Sequence, residues 1–525
     1  MRVHTLQAES FRAASLFAGC VALAVSCCVS ARAADDAAAR IHIFESSLRP
    51  AVSIAGDPEP HWTLQERMAH WKVPAVGIAV VRDGKLAWAR GYGVLQAGGK
   101  ERANTETMFS VGSVSKVGAA AMTLRMVDAG LLDLDRDVNR YLTRWQIPAN
   151  AFTDLRPVTL RGILSHSAGL TVHGFPDFQP GEALPTVIDT LEGRPPARHE
   201  PVRVVFTPGA QFRYSGGGIT VEQLVVEEAS GMDFPGAARH YVFDPLGMRR
   251  STYENPLPDR YGNIAKAHDA EGRPTALPRG YEAMPEMAAS GLWTTPSDYA
   301  KLVIALIESY RGGPDRFLRT STARQMMTEV GRSPAGLGPF LSGIGPTRRF
   351  SHGGANDSYR AWMEGHLATG NGVVIFTNGA NGEQLYPELR RAVAVAEGWG
   401  AALSDHVSIS ALEIPAGELD EAVGVYEISA PASTLEFRQR SDMPAYHVSR
   451  REGNLYLATN ERAKGSRLLP QDASHFLVAD YGTLSVVEFV RGYDGRVDGL
   501  IFRGGTDYLI EARKTADRSA QPASP

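Results

Sequence analysis

With 525 residues, a hydrophobic share of 43% and a charged share of 21%, the chain has a globular composition and length for more than one core. Its net charge is −4 and it carries no basic block, so it offers no electrostatic footprint for nucleic acid. All three cysteines, Cys20, Cys27 and Cys28, lie in the first 33 residues, which leaves the rest of the chain without cysteine chemistry, disulfides or redox sensing.

Those first residues have their own pattern. Arg2 and Arg12 precede an apolar run from Ala13 to Val25, and Ala31-Arg32-Ala33 follows as a small-x-small cleavage signal. The run is shorter than the roughly 20 residues a membrane span requires, so residues 1–33 read as a secretory signal peptide. Neither Cys20 nor Cys27 has the Leu three residues upstream that a bacterial lipobox carries; a lipid-anchored form is the alternative. Arg2, Arg12 and Arg32 against Glu9 give this leader a net +2, so its removal shifts the charge from −4 to −6. The expected location is periplasmic or secreted, with no transmembrane span in the mature chain.

Residues 34–61 read as a polar, Ala-rich extension. Val76 to Val81 and Leu86 to Tyr92 then predict two strands joined by a turn at Arg82-Asp83-Gly84, where Asp-Gly is a hairpin signal. From Val114 to Ala129 the apolar residues take helical spacing, with Gly130 as the stop. A Gly- and Pro-rich stretch from Pro148 to Pro296 follows, with short helical pieces such as Val221 to Ser230, and reads as an excursion that walls a cleft. Strands return at Arg360 to Glu364 and Val373 to Thr377 around Gly370-Asn371-Gly372, and a helix from Leu385 to Glu397 closes the unit. Strands at both ends with helices between predict an α/β sandwich over residues 62–404.

Beyond Ser404 the texture changes to short alternating strands: Gly424 to Tyr426, Leu435 to Arg438, Leu455 to Leu457, Phe476 to Val478, Val486 to Val490 and Leu500 to Phe502. Turn signals at Gly453-Asn454 and Asp494-Gly495 fit a small antiparallel β-barrel or sandwich over residues 405–514, and residues 515–525 read as a disordered tail.

The chemical signal is Phe109-Ser110-Val111-Gly112-Ser113-Val114-Ser115-Lys116. Three residues advance a helix by about 300°, which leaves Ser113 and Lys116 on one face, whereas Ser115 is turned about 160° from Ser113. A serine hydroxyl is a poor nucleophile near neutrality; a partly buried lysine can take its proton, and a helix N-terminus favours the negative charge that develops. By itself Ser-x-x-Lys is common by chance. Here it is followed by Pro208-Gly209-Ala210-Gln211-Phe212-Arg213-Tyr214-Ser215-Gly216 and by Phe350-Ser351-His352-Gly353-Gly354.

With these motifs in this order, the chain resembles the serine β-lactamase and penicillin-binding-protein superfamily, nearest the branch of class C β-lactamases, D-aminopeptidases and esterases. The resemblance takes in Leu160 to Leu170 and Ser290-Gly291-Leu292-Trp293-Thr294-Thr295, and spans Trp62 to Trp399. It implies an antiparallel sheet flanked by helices, with an all-helical subregion. It further implies Ser113 as nucleophile, Lys116 as its proton partner and Tyr214 as the phenol that shares the base role. The backbone N–H groups of Ser113 and Ala355 would form an oxyanion hole, and the segment His352-Gly353-Gly354 would hold substrate beside Gly216.

Two departures bear on the substrate. Gly216 stands where the family commonly has an Asn that binds the substrate amide, and His352 replaces a lysine; a histidine of ordinary pKa, about 6.5, is mostly neutral at pH 7. The implied function is an exported hydrolase of esters, D-amino-acid amides or peptides, or β-lactams. The alternative is a penicillin-binding-like sensor or scaffold without turnover. His166, in Leu-Ser-His-Ser-Ala-Gly-Leu, reads as a hydrogen-bonded structural histidine, and Tyr92, Trp293 and Trp362 as packing residues. No His-Glu-x-x-His, P-loop or Gly-x-Ser-x-Gly motif occurs, so no metal or organic cofactor is implied and the expected partner is a small-molecule or peptide substrate.

Overall fold

The structure is a computed structural model that describes residues 36–179, 181–275, 283–314, 316–410, 412–428, 445–459, 465–478, 484–504 and 508–515. The expected leader therefore lies outside the described residues. So do the expected strand Leu435 to Arg438 and all of the expected tail except Thr515, whose N–H bonds to the Val425 carbonyl.

The elements that carry the argument are β1 (Ala75–Arg82), β2 (Lys85–Gly93), α1 (Ser115–Asp128), α2 (Gly216–Ser230) and α3 (Pro296–Arg311). They continue with β3 (Phe340–Ser342), β4 (Arg349–Ala355), β5 (Arg360–His366), β6 (Gly372–Thr377) and α4 (Gly382–Ala396). The six strands form one antiparallel sheet in the order β2-β1-β6-β5-β4-β3. Asp83 and Gly84 both take positive φ, 49° and 73°, as the two-residue turn between β1 and β2 requires.

Both sheet faces are covered, which explains why β1 and β6 read as unbroken apolar runs rather than alternating ones. Ala79, Val81, Val374 and Phe376 face the front, where α3 packs over β1 and β6 and α1 and α2 contribute to the same core. Ile78, Val80, Val373 and Ile375 face the back, against α4 and Ile41 and Phe44 of a helix at 36–46. The stretch between α1 and α3 supplies further short helices, Ala151–Leu155, Leu160–Leu164, Val187–Glu192 and Phe234–Ala238 among them.

The second unit is a closed barrel of eight antiparallel strands, β7 (Gly424–Ile428), β8 (Ala445–Arg451), β9 (Asn454–Ala458), β10 (Ser466–Pro470), β11 (His475–Val478), β12 (Ser485–Arg491), β13 (Val497–Gly504) and β14 (Tyr508–Lys514). Closure comes from β14 pairing with β7, Ile428 opposite Ala512. Tyr426, Phe476, Val487, Phe489 and Phe502 help fill its core. The extension at 34–61, read from sequence only as polar and Ala-rich, is built into the fold. Val52–Ile54 pairs in parallel with Val407–Ile409, and Ala51 and Val52 pack on Leu469 and Leu477 of the barrel.

Candidate active site

Two glycines bring the sheet edge against the Ser-x-x-Lys turn. Residues Gly112–Val114 form a short 3₁₀ turn that leads into α1, and Gly112 takes φ +49°. A Cβ on Gly112 would stand 2.7 Å from the Ala355 nitrogen, and one on Gly354 would stand 2.0 Å from the Val111 carbonyl oxygen. Neither position accepts a side chain, and the end of β4 therefore lies directly beside Ser113.

Ser113 is half-buried, and Lys116 lies one helical turn on with only 2% of its surface exposed. Lys116 Nζ donates to Ser113 Oγ at 3.0 Å and to the Ala289 carbonyl at 2.7 Å. Ala289 belongs to a short helix, Met287–Ser290, which Gln223 of α2 steadies by accepting the Ala288 N–H at 3.2 Å. Ser115 is wholly buried and its Oγ accepts the Leu292 N–H at 2.9 Å, so it is a structural residue.

Tyr214 completes the cluster from another loop. Lys116 Nζ stands 5.1 Å from the centre of the Tyr214 ring, which also packs against His166 at 4.2 Å, His173 at 4.9 Å, Phe340 at 6.1 Å and His352 at 6.2 Å. Ser215 caps α2: its Oγ accepts the Gly218 N–H at 2.8 Å and donates to the Thr171 carbonyl at 2.6 Å.

His352 lies opposite Met363 of β5 and shares its front-facing side of the sheet. Its Nδ1–H donates to the Gly353 carbonyl at 2.6 Å, which leaves a lone pair on Nε2 with no hydrogen-bond partner. Burial first, and then the Lys116 charge, push its pKa down to about 3, so the ring is neutral throughout the physiological range. The Asn356 N–H is spent on the Tyr359 carbonyl; because successive amides of a strand alternate, the Ala355 N–H points the other way, off the sheet edge where Ser113 lies. Asn356 fixes this bend by donating from Nδ2 to Ser110 Oγ at 2.9 Å.

The structure thus brings together Ser113, Lys116, Tyr214, His352, Gly353, Gly354 and Ala355, and sets Gly216 at the first turn of α2, two residues beyond Tyr214. Gly216 is buried, its N–H bonds to the His173 carbonyl at 3.0 Å, and a Cβ there would meet Phe175 at 3.0 Å and that carbonyl at 3.1 Å. Gly216 begins α2, directly after the Ser215 cap.

Sequence reasoning missed Gln223, Asn356 and Glu222. The Glu222 carboxyl is fully buried, accepts from Thr123 Oγ at 2.7 Å and is pushed up to about 8 by burial, so it is protonated at pH 7. A lone acidic residue at i, i+3 spacing within an apolar helix, as in Ile219-Thr220-Val221-Glu222, is the signal that marks it. His166 is hydrogen-bonded as expected, through Nδ1, which accepts the Ser215 N–H at 3.2 Å, while its Nε2 is buried without a partner.

Comparison with known proteins places this geometry. The family model described as Beta-lactamase matches residues 63–397, and the chain belongs to that family. Esterase EstB of Burkholderia gladioli is 28% identical over 232 residues, 43% of this chain and 58% of that protein. D-alanyl-D-alanine-carboxypeptidase/endopeptidase AmpH of Escherichia coli strain K12 is 24% identical over 264 residues, 49% of this chain and 62% of that one. The chain spans about half the length of the curated relatives it matches. Among solved structures, the octameric penicillin-binding protein homologue from Pyrococcus abyssi superposes with a TM-score of 0.52 at 19% identity, over 86% of this chain and 98% of its own. At that identity the likeness is one of fold. Among the described residues, no helix is long and apolar enough to cross a membrane.

Proposed function

We propose that this protein is an exported serine hydrolase that works through an acyl-enzyme on Ser113, with esters, D-amino-acid amides or peptides, or β-lactams as substrates. The observation that carries this reading is the 3.0 Å contact between Lys116 Nζ and Ser113 Oγ in a buried setting, with the Tyr214 ring beside the ammonium. Attack by Ser113 Oγ on a carbonyl carbon requires its proton to leave. Lys116 in its neutral form takes it, or a Tyr214 phenolate does so while Lys116 stays charged. The oxyanion is held by the N–H groups of Ser113 and Ala355. The leaving group departs with the proton, and water then attacks the acyl carbon and restores Ser113.

His352 bears on the substrate. A ring held neutral beside the strand edge supplies no fixed positive charge, so neutral esters and amides suit the site better than carboxylate-bearing ones. Export rests on the leader pattern at residues 1–33, with its flanking arginines and Ala31-Arg32-Ala33.

The test is intact-mass analysis after a fluorophosphonate or labelled penicillin. A single adduct on the wild-type chain that disappears in Ser113→Ala is the expected result; an adduct that persists overturns the assignment. Turnover of nitrocefin, p-nitrophenyl butyrate and D-alanine p-nitroanilide then separates the three substrate classes, and sustained product release distinguishes an enzyme from a protein that only acylates.

A further inference from the structure

We infer that His166 is a positioning residue for Tyr214, an inference that rests on the role proposed above for that phenol. Three successive residues of the second motif are gripped by this one side chain and its backbone. The His166 carbonyl accepts the Arg213 N–H at 2.7 Å, His166 Nδ1 accepts the Ser215 N–H at 3.2 Å, and between these two bonds the imidazole lies against the Tyr214 ring, 4.2 Å between centres and tilted by 34°. His166 takes φ +55°, a left-handed conformation that lets its carbonyl and its ring address the same segment.

The chemistry of the grip is specific to a neutral histidine. To accept from Ser215, Nδ1 must carry a lone pair, which puts the ring proton on Nε2. A protonated ring would have a donor at both nitrogens and would turn N–H against N–H. Burial first, and then the Lys116 charge, hold the His166 pKa well below its usual value. Among the described residues, Lys116 of α1, His352 of β4, His173 and Tyr214 are titratable groups that face it. The tyrosine therefore keeps one orientation toward Lys116 across the range in which an ordinary histidine would titrate. A leucine could fill the volume, and a phenylalanine could face the ring, but neither accepts the Ser215 N–H.

The experiment uses the full-length protein, p-nitrophenyl butyrate and a fluorophosphonate titration of active sites. His166→Asn keeps an acceptor for Ser215 and tolerates positive φ, yet lacks the ring. The expected result is a fall in kcat per titrated site of about 10- to 100-fold, as a displaced catalytic group produces. KM should change less than about 3-fold, since substrate binding is not what the ring serves. The pH dependence of kcat should also shift. In the double variant with Tyr214→Phe, His166→Asn should cost nothing further, because both act through one group.

A His166→Asn enzyme with wild-type kcat and pH profile overturns the inference, as do losses that multiply in the double variant. If Tyr214→Phe alone leaves kcat unchanged, the reading of Tyr214 falls with it, and the two failures are thereby distinguished. A further readout is the ring-nitrogen NMR spectrum of ¹⁵N-histidine-labelled protein. The His166 signals, assigned by their loss in His166→Asn, should stay unprotonated at Nδ1 and protonated at Nε2 from pH 5 to 9, and a different protonation pattern overturns the proposal.

Discussion

The carboxylate at the centre of the sheet's back face and the polar groups around Ser113 on its front face are buried in opposite ways. On the back, Glu364 of β5 is fully buried and fully paired: Arg390 of α4 and Trp362 Nε1 donate to Oε2, His366 Nε2 lies 2.9 Å from Oε1, and Arg390 reaches on to Asp405. On the front, His352 Nε2, His166 Nε2 and Glu222 Oε2 are buried without hydrogen-bond partners, and each of these groups is neutral at pH 7. Paired charge holds elements together. Polar groups kept neutral and incompletely satisfied cost stability, and a site that must exchange protons is where that cost is accepted.

The predictions probe this contrast. The largest effect should come from the front: Ser113→Ala and Lys116→Ala should each lower kcat at least about 10³-fold, since members of such a unit act together. A urea melt close to wild type would accompany it. Tyr214→Phe should lower kcat by about 10²- to 10⁴-fold, the range for loss of a general base, with the fold again retained. A Tyr214→Phe enzyme within a few-fold of wild type would remove the phenol from the mechanism.

The back should respond in the other currency. Glu364→Gln removes one of the two carboxylates that Arg390 meets, leaving Asp405 and the Leu403 carbonyl as its partners, and should cost about 1–3 kcal/mol of unfolding free energy. Activity per titrated site should stay unchanged at temperatures where the variant is folded. A large fall in kcat from that change would break the distinction between the two faces.

Smaller effects come with pH. Burial alone would raise the Glu364 pKa, but Arg390 and His366 hold it well below the usual carboxylate range. Its stabilising contribution is present above the unfolded carboxyl's value of about 4.3 and is lost as pH falls through the folded value. His352 acts in the same direction: between its ordinary value of about 6.5 and its folded value only the unfolded state takes up a proton, so stability falls with falling pH. Glu222 has the opposite sign. Its folded pKa of about 8 means that stability is lost as pH rises from the unfolded value toward that of the folded state. Glu222→Gln should remove this loss, so that the fall in stability between pH 5 and pH 8 is smaller in the variant than in the wild type, as measured by denaturant midpoints at both pH values. A difference of the same size at both pH values would mean that Glu222 does not titrate in this window.

The legible parts of the fold were those whose signal is local. The hairpin of β1 and β2 was marked by Asp83-Gly84, α1 by helical spacing before Gly130, and the barrel by short alternating runs. Strands β8, β10 and β14 were not read, because residues such as Arg450, Arg451 and Arg467 interrupt their apolar alternation. β3 was not read because three residues carry no period. In the site, Ser113 and Lys116 were visible as a spaced pair, and Tyr214, His352 and Ala355 through their motifs. That Gly216 also starts α2 was not legible, since a motif position does not reveal which residue begins a helix. Gln223, Asn356 and Glu364 escaped notice because a polar residue looks the same in sequence whether it meets water or a buried partner.

The order of the motifs and the alternation of the barrel were set by the sequence itself, for helical advance and strand periodicity operate between near neighbours. Tertiary structure decided which groups stand together and in what protonation state. That Lys116 meets the Ala289 carbonyl, that His352 is neutral and that His166 clasps Tyr214 depend on burial and on contacts between segments far apart in the chain. Desolvation and hydrogen-bond geometry, which set those states, exist only once the chain has closed around them.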